Sequence, residues 1–288
     1  MTLPASGYLS DPARTDGEMR AALEDQRDVI ATLELEAAAA EPWTNPIRPR
    51  LDWVSATQLR LGAGAIPQKI GGVWTLKHHA AVTLSNAGLA ANGTYMIYAR
   101  DVAGVRTLDA VVATGTDHSP DANTGVEIKN GDPTRSLVGF VRVNASSQFV
   151  FDLTNIYVLS WYNRRPLQAY AISATPVVAG VGAWQQLGTA INYLAWAGTV
   201  LKLSALATVQ HTVAGAAAYL GLGSNVVTPV TGYYITQQPA VANYIVPMAL
   251  AAPLVVGADG AGSVLMAMYT SAASGTYSNY GLYVECSG

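Results

Sequence analysis

The chain has 288 residues and a net charge of −3; half of its residues are hydrophobic and only 12% are charged. The acidic balance and the lack of any basic stripe exclude a nucleic-acid footprint. No apolar run approaches the roughly 18–20 residues that a membrane-spanning helix needs, and the opening MTLPASGYLSDPART lacks the basic-then-apolar pattern of a secretory leader.

Residues 1–15 read as extended, with Pro4, Gly7 and Asp11-Pro12 and no periodicity. Tyr8 and Leu9 are the apolar pair there that could seat in another protein, the candidate attachment residues. The one long helix signal spans Asp16 to Glu41. Met19, Leu23, Gln26, Ile30, Leu33 and Ala37 recur at alternating steps of four and three, the spacing of a coiled-coil seam. Thr15 and Glu18 open it as a capping box and Pro42 closes it. So narrow an apolar stripe is marginal alone in water. It predicts a helix paired with copies of itself, or one packed on its own β-domain. Pro42, Pro46 and Pro49 then make a stiff linker.

From Leu51 the pattern is mainly β. Gln68–Ile70, Gly71-Gly72 and Val73–Leu76 form a hairpin signature. In Thr94–Arg100, Tyr95, Ile97 and Ala99 share one face, and Met96 and Tyr98 the other. Val105–Ala113, Gly125–Lys129, Ser136–Val143, Gln148–Leu153 and Tyr157–Tyr162 continue a meander. Residues 114–124, TGTDHSPDANT, are the most polar loop. Beyond Leu167 eight further strands are expected: Trp184–Leu187, Tyr193–Ala197, Val200–Ala205, Ala217–Leu222, Tyr233–Gln237, Ala242–Pro247, Val264–Tyr269 and Tyr280–Cys286. Eight strands in so short a stretch suit a jelly-roll-like β-sandwich. The predicted organisation is an attachment segment and helix over 1–42, a β-rich neck over 43–166 and a head over 167–288.

The head is charge-poor. After Arg165 the only cation besides histidine is Lys202, and the only acids are Asp259 and Glu285. Such a surface stays in solution on Ser, Thr, Asn, Gln and Tyr, or is buried between subunits. Recognition of sugars or proteins suits it: tyrosine offers large contact area at low entropic cost. Tyr233 and Tyr234, as strand neighbours, cannot both face inward. Tyr277 lies in the loop-like SGTYSNYG. Tyr233, Tyr234, Tyr277 and Asn279 are therefore the candidate receptor-binding residues.

Catalytic chemistry is poorly supplied. A glycosidase needs two carboxylates across a sugar bond, and Asp259, in GADGAG, reads as a turn aspartate. No G-x-S-x-G elbow occurs. His78 and His79 point to opposite faces of a strand and cannot chelate together within one chain. No cofactor, metal or catalytic residue is expected. The single cysteine, Cys286, excludes an intrachain disulfide; a free thiol or an interchain bridge remains.

Two stretches, TGVEIKNGDPTRSLVGFVRVNASSQFV (Thr124 to Val150) and VLSWYNRRP (Val158 to Pro166), resemble a module of bacteriophage tail-fibre and receptor-binding proteins. SGYLSDPARTDGEMRAALEDQRDVI is similar to the head of fibres that dock on a tail or baseplate. The resemblance covers roughly residues 5–165. It implies a homotrimer on the virion, assembled in the host cytoplasm: a helix bundle docked on tail or baseplate proteins, a β neck, and a head that grips a host-surface glycan or outer-membrane component. A tail-associated polysaccharide depolymerase and a purely structural tail or tailocin fibre are the alternatives.

Overall fold

The computed structural model describes residues 48–115, 117–272 and 274–286. The helix expected over Asp16–Glu41, with its seam residues Met19, Leu23, Gln26, Ile30, Leu33 and Ala37, and the attachment pair Tyr8 and Leu9 lie outside these residues.

Thr94–Val102 sets the plan. Its two faces are both apolar, and Tyr95, Met96, Ile97, Tyr98 and Ala99 are all buried. A strand of this kind needs cover on both sides. Tyr95, Ile97 and Ala99 pack with Leu51, Leu59, Leu61, Ile66 and Phe149 in a core private to the first half of the chain. Met96 and Tyr98 join Leu137 and Phe140 in a second core that runs on to Trp196, Leu203, Met266 and Leu282. The alternation readable in the sequence thus marks a wall shared by two cores.

The first half comprises β1 (Leu51–Ser55), β2 (Gln58–Leu61), β3 (Gly64–Ile70), β4 (Val73–His79), β5 (Val82–Ser85), β6 (Thr94–Val102), β7 (Val105–Val112), β8 (His118–Pro120), β9 (Glu127–Lys129), β10 (Asp132–Arg142), β11 (Asn155–Ile156) and β12 (Val158–Ser160). The β3–β4 hairpin turns through Gly71 and Gly72, at φ 58° and 85°, a two-residue turn that glycine adopts freely. The main sheet runs β7-β6-β10-β9-β8, with β12 also on β10. At Gly139 in β10 a Cβ would stand 2.3 Å from Leu51 Cδ2 and 2.6 Å from the Leu159 carbonyl oxygen, so the two sheets meet there over bare backbone. The expected strand Gln148–Leu153 is not formed. Val143↔Phe149 and Phe151↔Ile156 are isolated bridges, and Asn144 and Asp152 instead hold turns by accepting backbone N–H groups.

The second half comprises β13 (Leu167–Ser173), β14 (Val177–Ala179), β15 (Gln185–Ala195), β16 (Val200–His211), β17 (Ala218–Ser224), β18 (Pro229–Gln237), β19 (Ile245–Val255), β20 (Gly260–Thr270) and β21 (Gly275–Cys286). One sheet is ordered β11-β15-β20-β17-β18, the other β13-β21-β16-β19, with β14 on β21. Among the eight long strands, the first, eighth, third and sixth share one sheet, and the second, seventh, fourth and fifth the other. That is jelly-roll order. Two of the expected segments, Trp184–Leu187 and Tyr193–Ala197, are one strand, β15, whose register shifts between Leu187 and Ile191 around Gly188 at φ 75°. β13 and β14 were not among the expected strands.

β16 shows why the sandwich holds. Leu201, Leu203, Ala205, Ala207, Val209 and His211 all point inward and are buried, while Lys202, Ser204 and Leu206 point out. Burial of each of its larger apolar side chains contributes about 1.5–3 kcal/mol, and its backbone is paired on both sides, with β19 and β21. β11 joins the second half through a short parallel pairing with β15 and a bond from Asn192 Nδ2 to Asn155 Oδ1 at 3.0 Å, so the first half donates an edge strand to the second.

Candidate functional site

Strand alternation puts Tyr219, Gly221 and Gly223 of β17 on the outer face of the sandwich. Register then sets Tyr219 beside Tyr269 of β20 and Gly221 beside Tyr234 of β18. Trp184, just before β15, lies across them. Ring centroids are 5.1 Å apart for Tyr219–Tyr269, 5.4 Å for Trp184–Tyr269 and 6.2 Å for both Trp184–Tyr234 and Tyr219–Tyr234. These are tilted and edge contacts of the favourable kind. A Cβ on Gly221 would meet Pro229 Cγ at 2.3 Å and the Trp184 ring at 3.3 Å, so the glycine lets the indole lie against the strand. Tyr234 is 49% exposed. None of the head's three charged side chains contributes to this aromatic face. Chemically it can stack on the apolar face of a sugar ring or on a flat apolar surface of a protein.

The four residues singled out from sequence do not form one site. Tyr234 belongs to the aromatic face. Tyr233 points the other way, packs against the core and donates its hydroxyl to the Pro253 carbonyl, tying β18 to β19. Tyr277, expected to be exposed, is 0% exposed. SGTYSNYG is not a loop but the start of a twelve-residue strand, β21, and its small residues make room for a large ring. The Tyr277 hydroxyl accepts the Tyr219 N–H at 3.2 Å and lies 2.9 and 3.0 Å from the Tyr219 and Tyr269 carbonyl oxygens. Asn279 is exposed, at φ 46°, in a bulge where Asn279 and Tyr280 oppose Ala207 alone; it lies on the other sheet from Tyr234. Trp184, Tyr219 and Tyr269 were visible as aromatics, but only cross-strand register gathers them.

A second cluster joins the two halves. In the polar loop, Asp117 accepts the N–H groups of Thr114 and Gly115, at 2.5 and 2.9 Å, and its carbonyl takes the Tyr98 hydroxyl at 2.8 Å. This pins His118 at the start of β8, with Glu127 on the adjacent β9. The imidazole bridges two carboxylates: Nδ1 to Glu127 Oε2 at 2.9 Å and Nε2 to Asp259 Oδ2 at 2.6 Å. The other Asp259 oxygen accepts the Ala197 N–H at 2.6 Å. Hydrogen bonding to Asp259 first, and then to Glu127, pushes the imidazole up to about 9 against the cost of burial, so His118 is a cation at neutral pH. Burial works against charge on Asp259, but its bonds from His118 and Ala197 outweigh that and hold it below the usual carboxylate value. Trp161 and Trp196 pack around the imidazole, 4.9 Å apart edge to face, and the Arg164 guanidinium lies 4.3 Å over Trp161.

The remaining candidate groups are committed elsewhere. Asp259 is bonded to His118 at 2.6 Å, and Glu285 to Lys202 at 2.7 Å. Cys286 is a buried free thiol that burial pushes up to about 11, which disfavours both nucleophilic use and an interchain bridge. His79 is buried 3.6 Å from Asp101 while His78 is exposed, on opposite faces of β4 as their spacing requires. Among the described residues no group of three or more His, Cys, Asp or Glu side chains is arranged to hold a metal ion.

No protein-family model matches the sequence, and no curated protein sequence matches it. Among solved structures, the VP2 subviral particle of infectious bursal disease virus is similar at 13% identity and a TM-score of 0.34, over 84% of this chain and 74% of that one. Derived T=1 particles of the D431N mutant VP2 of that virus give 13%, 0.31, and coverage of 82% and 70%. A Bacillus thuringiensis Cry1Da tryptic core variant gives 8%, 0.25, and coverage of 87% and 54%. These likenesses are too distant to bear on function.

Proposed function

We propose that the chain is a bacteriophage tail receptor-binding protein, located on the virion at a tail fibre or baseplate. In this reading residues 1–42 dock on the tail and bundle three copies, 43–166 form the neck, and 167–288 bind a bacterial surface glycan or outer-membrane component without turning it over. The observation that carries it is the aromatic face of Trp184, Tyr219, Tyr234 and Tyr269, partly exposed on a head that places no charge there. The similarity of Thr124–Val150 and Val158–Pro166 to fibre modules supports it. Three weak heads on one fibre gain strength through avidity.

The test uses labelled full-length protein on a panel of bacterial cells, with native mass measured by light scattering. Three times the chain mass and binding to at least one strain are expected. Tyr234→Ala should lower that binding about tenfold or more, as loss of a well-packed aromatic anchor does, while costing only about 0.5–1.5 kcal/mol of stability from its ring contacts with Trp184 and Tyr219. A monomer that binds no cell would overturn the reading.

A further inference from the structure

We infer that the head carries a two-part groove for a neutral oligosaccharide, centred on Tyr170 and separate from the aromatic face; the choice of ligand class rests on the attachment reading. Two clefts, of about 550 and 330 Å³, have Tyr170 in common. Both volumes lie in the range of small-ligand sites. The larger lies on the outer face of the β13-β21-β16-β19 sheet. There Tyr170 and Tyr283 are cross-strand neighbours with rings stacked at 6.1 Å and 29°, each about 40% exposed. The next row across the sheet is Gln168, Glu285 and Lys202. Ser204 and Ala251, beside Tyr283, extend the cleft with small side chains. The smaller cleft, on the β13 edge, adds Thr154, Thr189 and the Tyr280 ring.

The composition of the walls selects the ligand. Tyrosine rings offer flat apolar faces, and Gln168, Ser204, Thr154 and Thr189 offer groups that both donate and accept. That mixture matches a polyhydroxylated ring with one apolar face. Charge narrows it further. Lys202 and Glu285 neutralise each other at 2.7 Å, and the third charged side chain of the head, Asp259, is bound to His118. An acidic sugar would bring its carboxylate towards Glu285 with no free cation to meet it. A neutral sugar can accept a hydrogen bond from Lys202 and donate one to Glu285 without separating them. Clefts on either side of one tyrosine suit at least two consecutive sugar units, with Tyr170 between them.

The experiment is calorimetric titration of the full-length protein with neutral tetrasaccharides built on glucose, galactose, mannose and N-acetylglucosamine, and with tetragalacturonate as the acidic probe. At least one neutral probe should bind and the acidic one should not. Tyr170→Ala should weaken binding by about tenfold or more, Tyr170→Phe should retain most of it, and Tyr234→Ala should leave it unchanged. Glu285→Gln, which frees Lys202, should admit tetragalacturonate. Absence of binding by every neutral probe, or binding indifferent to Tyr170→Ala in a protein that unfolds normally, would overturn the groove. Cell binding by a protein that binds no neutral probe would overturn the groove while leaving the attachment reading intact. Saccharide binding without binding to any cell would support the groove and remove the attachment reading.

Discussion

Tyr277→Ala should lower the stability of the protein by roughly 3–5 kcal/mol, the range for truncating a buried aromatic ring. The phenol is wholly buried between the two sheets of the head, and its hydroxyl reaches the backbone of β17 and β20 from β21. Tyr277→Phe keeps the ring but removes the acceptor of the Tyr219 N–H and the single donor shared by the two carbonyls, and should cost about 1–3 kcal/mol. Domains are stable by only about 5–15 kcal/mol in all, so the alanine variant removes a large share. The two strands it braces carry Tyr219 and Tyr269, half of the aromatic face. The phenylalanine variant should therefore remain folded, unfold at a lower denaturant midpoint with an unchanged slope, and bind cells less well. An alanine variant within about 1 kcal/mol of the parent would mean that the ring does not span the sandwich as described.

Tyr277 also shows where sequence reading stops. Gly, Ser and Asn around it argue locally for a loop, and that argument fails because β21 is paired on both sides, with β13 and β16; tertiary pairing overrides turn-like composition. Mainly β structure, the Gly71-Gly72 hairpin and the two-faced strand at Thr94–Arg100 were legible because each is a property of a few consecutive residues. The eight-strand count came close because turn residues separate the strands, although the expected Trp184–Leu187 and Tyr193–Ala197 are one strand, β15, with a register shift around Gly188. The opposed directions of Tyr233 and Tyr234 follow from strand alternation alone; which one faces out does not. Trp184, Tyr219 and Tyr269 are brought to Tyr234 by register between strands far apart in sequence, and no local pattern encodes that. The same holds for Lys202 and Glu285, 83 positions apart and paired on one row. His118 was read only as part of a polar loop, because its partners Glu127 and Asp259 are known only once the halves are docked.

That docking should be pH-dependent, and the direction is fixed by the His118 shift. The imidazole rises from its ordinary 6.5 to about 9 in the folded protein. Its contribution is therefore fully present below about pH 6.5 and is lost as pH rises through about 9. A shift of this size corresponds to about 2–3 kcal/mol for a mostly buried group, after allowance for solvent screening. Asp259 works in the opposite sense: held below its ordinary value, it contributes above the usual carboxylate range and loses that contribution in acid. The ion pair is thus strongest between roughly pH 4 and 6.5. The other charges around the imidazole are Arg164, Asp117 and Glu127. Burial lowers Arg164, and Asp117, whose burial opposes charge, is nonetheless held low by its Thr114 and Gly115 bonds, so neither changes charge between pH 6.5 and 9. Denaturant unfolding measured across pH 6 to 8.5 should show stability falling above pH 6.5 in the parent and a flat profile in His118→Gln; at higher pH the buried Cys286 thiol, raised to about 11, adds its own loss to both. His118→Ala, which leaves Asp259 and Glu127 facing each other without their cation, should cost about 2–4 kcal/mol at pH 6. A parent profile that is flat from pH 6.5 to 8.5 would sink the account. It would leave the packing of Trp161, Trp196 and Phe140 as what holds the second half on the first, since those contacts carry no charge for the pH to remove.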